Sequence, residues 1–392
     1  MPSILHGFTA NVLTSARLRC LYLTMTDTSS TQRPRQSTVT EHLAGTNDSW
    51  HGTITDSGPF RPSSHRFHLY LGLFCPFAHR ANLVRVLKGL QDIIPISVVR
   101  PYPKGDENGW PGWRFPKDEK EYPAATVDHL FGSEYLHEVY FKADPAYKGR
   151  YSVPVLWDTE TNTLVNNESI DLLKNLQTAF DSLLEQEGKH VEAGLHFYPE
   201  HLRSKIDEIC EWMQQNLNTG VYKAGFAPDQ ETYDKNVIPV FAALNKLEKI
   251  VHSHGGPFAL GQELTEVDIR LFPTLIRFDT VYVQHFKCNL GTIRHDYPVL
   301  NNYLTGLYFG LNEVKLANGS KHRITAFGPE TVNFKHIKEN YTKSHHDVNP
   351  KAITPRGPYP DVEEHFEKDW SKLKVGEIAM REVKEAEKLL PG

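Results

Sequence analysis

The stretch LYLGLFCPFAHRANLVRVLKGL, residues 69–90, constrains the fold of this 392-residue chain more than any other segment. Phe67, Leu69, Leu71 and Leu73 alternate with His68, Tyr70 and Gly72, the period of two expected of a strand with one face in a core. The chain bends at Cys75-Pro76. Leu83, Val86, Leu87 and Leu90 then recur at i, i+3, i+4 and i+7, which predicts a helix packed on that strand. IIPISVVRP, residues 93–101, predicts a second strand and completes a β-α-β start. Residues 102–150 form a polar and aromatic excursion with one short helical patch near EYLHEVYFKA. YSVPVLWD and TLVNN flank the turn TETN and predict a hairpin, and Ile170, Leu172, Leu173, Leu176 and Phe180 give the apolar face of another helix. A β-α-β, insert, β-β-α order is the layout of an α/β thioredoxin-like domain.

From about Phe197 helical spacing dominates, over 201–217, 230–252, 266–287 and 297–309, and predicts an all-α C-terminal bundle. Thr265-Glu266-Val267-Asp268 has the form of a capping box and reads as structural. Residues 310–328 are a polar insertion, after which apolar spacing resumes in TVNFKHIKENYTKSHHDVNP. The closing EEHFEKDWSKLKVGEIAMREVKEAEKLL predicts a charged surface helix or helix pair. Between Thr26 and Ser64 large apolar residues are too few to offset the entropy of folding, so this part reads as tail and entry loop. The expected organisation is a tail over 1–45, a thioredoxin-like domain over 46–190 carrying the 102–150 insert, a helical domain over 191–345 with the 310–328 insertion, and an extension over 346–392.

Lys and Arg total 43 against 48 for Asp and Glu, and a net charge of −5 offers no basic face for nucleic acid. No apolar run approaches the roughly 18 residues of a membrane span, so no membrane partner is expected. Cys20, Cys75, Cys210 and Cys288 are dispersed and indicate neither a disulfide framework nor a zinc site, which fits a reducing compartment such as the cytoplasm. Residues 1–26 lack acidic residues and carry Arg17 and Arg19 among hydroxyl residues; a mitochondrial transit segment and a disordered tail both fit. HSHGG and SHH read as exposed histidines, because no carboxylate or thiolate stands at ligand spacing, and no metal is expected.

Cys75 ends a strand and precedes Pro76, which suits the first helical position. Free N–H groups at a helix start lower a thiol pKa, so Cys75 is either a reactive thiolate or a buried structural cysteine. Ala78 stands where a resolving cysteine would be, so dithiol chemistry is disfavoured and a monothiol that forms an adduct with an external thiol is the alternative. Val153-Pro154 opens the hairpin: with a cis bond Val153 would present its backbone to a peptide-like ligand beside Cys75, and otherwise it is an edge-strand proline. Glu168 and Ser169 begin a helix, either as an ordinary N-terminus or as a grip on a ligand ammonium and carboxylate. Together the three describe a site for a small zwitterionic thiol peptide, glutathione.

The chain resembles the Xi class of glutathione transferases, the glutathionyl-hydroquinone reductases, which are related to the Omega class. The resemblance covers about residues 45–360 through CPFAHRANLV, GWRF, YSVPVLWDTETNTLVNNES, GVYKAGFA, LTEVDIRLFPTLIRFDTVYVQHFKCN and VNFKHIKENYTKSHHDVNP. It implies the glutathione transferase fold, a homodimer formed through the helical domain, and glutathione as co-substrate. The implied activity is attack of a cysteine on the sulfur of a glutathionyl-hydroquinone, release of hydroquinone, and a second glutathione that frees the enzyme as oxidised glutathione leaves. Cys75 matches the catalytic cysteine; Trp113 lines the glutathione site, with Trp110 the other candidate; Val153, Glu168 and Ser169 match the glutathione contacts; Tyr222, Tyr282 and Tyr341 match the aromatic-substrate site. Phe77 stands where the family has tryptophan, and Thr342 replaces an aromatic. A conjugating transferase and a non-catalytic binder of aromatic ligands are the competing readings.

Overall fold

A four-stranded sheet in the order β2-β1-β3-β4 organises the first half of the chain, from β1 (Phe67–Leu71), β2 (Ile96–Val98), β3 (Val155–Asp158) and β4 (Thr163–Asn166). The computed structural model describes residues 50–316, 319–324, 327–328 and 330–391; the expected tail over 1–45 and the transit reading of 1–26 lie outside the described residues. β1 pairs parallel with β2, Leu69 opposite Ile96, and antiparallel with β3, Tyr70 opposite Val155. Helix α1 (Pro76–Leu87) makes the crossover from β1 to β2. The excursion contributes α2 (Leu136–Ala143), and α3 (Ser169–Leu176) follows the hairpin. This is a thioredoxin-like domain.

The expectation that β1 buries one face is corrected: all five of its residues are buried. The 102–150 excursion covers the second face. Tyr70 donates to Asp128 at 3.0 Å and packs against Phe115, while His68 bonds Ser97 at 2.8 Å. A polar side chain is tolerated there because each finds a buried partner. At the sheet's other end Arg66 grips Asp158 through two hydrogen bonds of 2.7 Å, tying β1 to β3.

The helical half contains α4 (Arg203–Met213), α5 (Gly220–Gly225), α6 (Gln230–Ser253), α7 (Glu266–Arg277) and α8 (Pro298–Tyr308). Two of the expected long helices change character: α4 passes into a π segment, Gln214–Asn218, and α7 into another, Phe278–Tyr282. Thr219 bonds back to the Gln214 carbonyl at 2.8 Å and Thr280 to that of Ile276 at 3.3 Å, side-chain bonds of the kind that loosen a helical ladder. The capping box of Thr265 and Asp268 is formed as expected.

The polar insertion holds a two-stranded hairpin, β5 (Glu313–Lys315) and β6 (Lys321–Arg323), followed by α9 (Phe334–Ser344). Of the C-terminal stretch expected to form a charged helix or helix pair, Trp370–Lys372 makes a single 3-10 turn and Arg381–Lys388 forms the helix α10. The chain before it runs as a strap along α6, because buried Glu248 and Asn245 take the N–H groups of Gly376 at 3.0 Å and Ile378 at 2.8 Å.

Candidate active site

The segment Phe74–Arg80 is the hub of the site, with Phe74, Cys75, Phe77, His79 and Arg80 each contacting a distant part of the chain. Cys75 has extended backbone and caps α1: its sulfur accepts the Ala78 N–H at 3.5 Å, and Pro76 occupies the first turn. The sulfur also lies 3.7 Å from the Val153 carbonyl. The Val153-Pro154 bond is cis, and no described residue accepts a hydrogen bond from the Val153 N–H. Phe74 packs on Trp113 with ring centroids 4.6 Å apart, which places Trp113 next to the cysteine. Trp110 instead packs among Phe141, Tyr151 and His137, away from this segment.

Glu168 caps α3, its carboxylate accepting the Ile170 N–H at 3.1 Å and the Ser169 hydroxyl at 3.3 Å. Arg80, on α1, ties this corner to the helical half: it reaches Ser169 at 3.5 Å and donates to Gln214 at 2.8 Å. Its guanidinium also stands over the Phe77 ring, 5.0 Å from the centroid. Phe77 in turn faces Tyr222 at 6.2 Å.

Tyr222 on α5, Tyr282 at the end of the second π segment and Tyr341 on α9 converge although more than a hundred residues separate the outer pair. Tyr341 Oη is bonded to Tyr222 Oη and lies 3.1 Å from Tyr282 Oη. Phe286 stacks on Tyr282 at 5.6 Å and lies 5.0 Å from Tyr222, closing the cluster. Gly225 permits this approach, since a Cβ there would come within 2.0 Å of the Phe286 ring. Thr342 points elsewhere: its hydroxyl bonds the Lys338 carbonyl and Thr354, both at 2.7 Å. It fastens the chain beyond α9 rather than lining the cluster.

Burial pushes the Cys75 thiol up from its ordinary value. The N–H groups of Ala78 and Phe77 and the charges of Arg277 and Arg80 pull the other way. Burial, then neighbouring phenols, raises Tyr222 well above 10, and Cys75 itself contributes. Tyr282 and Tyr341 are likewise raised, chiefly by burial. The cluster therefore presents protonated hydroxyls, which can donate to quinol oxygens. Cys210 and Cys288 are free and buried, the Cys288 sulfur 3.9 Å from the Phe286 carbonyl, and burial pushes both thiols up. Among the described residues no group of three metal-ligating side chains converges.

Sequence reasoning missed Arg80 and Arg277. Arg277 had a signal: a lone cation inside the apolar run LFPTLIRFDTVYV. It is fully buried and donates to the Phe74 carbonyl at 2.9 Å and the Leu73 carbonyl at 3.0 Å, just before Cys75.

A thioredoxin-like domain with a monothiol at its first helix, abutting a helical domain that supplies an aromatic wall, is the architecture of a glutathione transferase. Residues 74–179 match the glutathione S-transferase N-terminal domain family and residues 230–306 the C-terminal domain family. The chain is 48% identical over 304 residues to glutathione S-transferase omega-like 2 of Schizosaccharomyces pombe, covering 78% of this chain and 89% of that one. It is 42% identical over 315 residues to the glutathionyl-hydroquinone reductase YqjG of Escherichia coli, covering 80% and 86%. The crystal structure of the Xi glutathione transferase ECM4 from Saccharomyces cerevisiae in complex with glutathione superposes with a TM-score of 0.70 at 36% identity, covering 80% of this chain and 98% of that one. The chain belongs to the glutathione transferase family, and within it to the Xi class.

Proposed function

We propose that this protein is a glutathione-dependent reductase that removes glutathione from glutathionyl-hydroquinones. The Cys75 thiolate attacks the glutathionyl sulfur, a Cys75–glutathione disulfide forms, the bond from sulfur to the quinol ring breaks, and the ring carbon takes up a proton. A second glutathione attacks the mixed disulfide, frees the Cys75 thiolate and leaves as glutathione disulfide. One glutathionyl-hydroquinone and one glutathione thus yield one hydroquinone and one glutathione disulfide, the proton of the glutathione thiol ending on the ring. Tyr222, which faces Phe77 of the cysteine helix, is the proton source in this reading. Tyr282 and Tyr341 hold the quinol hydroxyls.

The observation that carries the proposal is a single cysteine at a helix start, 3.7 Å from the Val153 carbonyl, with Ala78 in place of a resolving thiol. Val153 pairs with the glutathione backbone, Glu168 and Ser169 hold its γ-glutamyl end, and Trp113 lines the remainder. A cysteine here also argues against a conjugating transferase, because it traps bound glutathione as a disulfide. Turnover of glutathionyl-menadione compared with that of chlorodinitrobenzene tests the choice: the reductase reading requires the first to dominate, and dominant conjugation overturns it.

The reading includes a homodimer formed through the helical domain, checked by sedimentation at twice the 44.7 kDa chain mass. Its domain limits are 46–190, 191–345 and 346–392. Among the described residues no helix is long and apolar enough to cross a membrane, and a reducing compartment such as the cytoplasm suits a free thiol at Cys75.

A further inference from the structure

Arg277 is a buried cation with no described counter-charge. Its residue is 0% exposed, and no described carboxylate lies within 4.0 Å of its guanidinium. Its acceptors are the carbonyls of Phe74 at 2.9 Å, Leu73 at 3.0 Å and Pro273 at 2.8 Å, with His79 Nδ1 at 3.1 Å. His79 is neutral by its hydrogen bonds. The Thr331 hydroxyl donates to the Phe327 carbonyl at 2.8 Å and so accepts from His79 Nε2 at 2.7 Å, leaving the Nδ1 lone pair for Arg277. Burial and the neighbouring guanidinium hold that imidazole well below its usual range.

Burying an unpaired charge is costly, and buried charges are as a rule paired. Two of the four acceptors are the carbonyls immediately before Cys75. The other groups facing Cys75 are the Phe77 and Ala78 N–H groups and Arg80 from α1, the Val153 carbonyl, and the phenols of Tyr222 and Tyr282, with Tyr341 behind them. Of these only Arg80 is charged, and it is drawn toward Glu168, Ser169 and Gln214. We propose that Arg277 is a positioning residue that both clamps the Leu73–Phe74 turn and serves as the fixed counter-charge of the Cys75 thiolate.

This deepens the reading of Cys75 as nucleophile, and its test uses no quinol substrate, so the two can fail separately. Iodoacetamide alkylation of Cys75, followed by peptide mass spectrometry against pH, reads the thiolate directly. R277M should move the rising limb up by roughly one pH unit or more, about a tenfold loss of rate below the midpoint, with the high-pH plateau retained. R277K should restore most of the rate. A folded R277M, judged by circular dichroism, with the wild-type profile overturns the charge role, as does R277K shifted as far as R277M. Should R277M not fold, His79→Glu gives the guanidinium a competing carboxylate and must shift the limb upward while His79→Gln does not; unchanged profiles in both overturn the proposal.

Discussion

The Cys75 sulfur lies 3.7 Å from the carbonyl oxygen of Val153, so the thiol of the first helix and the backbone that opens the β3–β4 hairpin meet across 78 positions of sequence. A peptide thiol that pairs with Val153 therefore delivers its sulfur to Cys75. Cys75→Ser should reduce glutathionyl-hydroquinone turnover by about three orders of magnitude or more, the scale of deleting a nucleophile. It could reveal weak conjugation with chlorodinitrobenzene in the same assay. An unchanged reductase rate removes Cys75 from the chemistry.

Tyr341 joins the other two phenols, and removing its hydroxyl strips a partner from both. A buried hydroxyl left unpaired costs about 1–3 kcal/mol. Tyr341→Phe should therefore lower the thermal midpoint and reduce kcat/KM for the quinol substrate by roughly ten- to a hundredfold. Differential scanning fluorimetry and steady-state kinetics on one preparation check both effects.

Phe77 packs against both Arg80 and Tyr222. Phe77→Ala removes a ring contact worth about 0.5–1.5 kcal/mol and should raise KM for the quinol several-fold with a smaller change in kcat. Phe77→Trp offers Arg80 a better π face and should keep or lower KM. A KM that rises equally in both variants contradicts a packing role for the ring.

Burial pushes the Asp158 carboxyl up, but Arg66, Thr161 and the Glu160 N–H outweigh it and hold the carboxyl below its ordinary range. A carboxyl whose folded pKa is depressed contributes stability above its unfolded pKa of about 4, lost as pH falls through the folded value. Asp158→Asn leaves the buried Arg66 with the exposed Glu160, 2.8 Å away, as its remaining charge partner among the described residues and should cost about 1–3 kcal/mol near pH 7. The gap between the variant and the wild type, measured by urea unfolding, should close below about pH 4.

Where one segment carries its own periodicity, the fold was legible: strand, Cys75-Pro76 and helix α1 follow from spacing and from proline's missing N–H. The second buried face of β1 was not, because its cover comes from 102–150, where partners such as Asp128 and Phe115 sit outside any repeat. The π segment before Tyr282 continues the apolar spacing of α7, so only tertiary contacts distinguish it. At the C-terminus, Glu- and Lys-rich spacing suggested a helix or helix pair, but Glu248 and Asn245 take the N–H groups of Gly376 and Ile378, which a helix there would need for its own ladder. Convergence of Tyr222, Tyr282 and Tyr341 could be named only through family resemblance, since nothing local marks a tyrosine as facing a distant one. Arg277 was readable as an anomaly, a cation in an apolar run, though not as a neighbour of Cys75.

The most direct test of the central claim is mass spectrometry of the protein after one equivalent of glutathionyl-hydroquinone is added without free glutathione. The account predicts a glutathione adduct on Cys75, located by peptide mapping, and an equal amount of free hydroquinone, with the adduct discharged as glutathione disulfide when glutathione follows. Unmodified Cys75 with the substrate intact, or hydroquinone released by a Cys75→Ser protein, would contradict it.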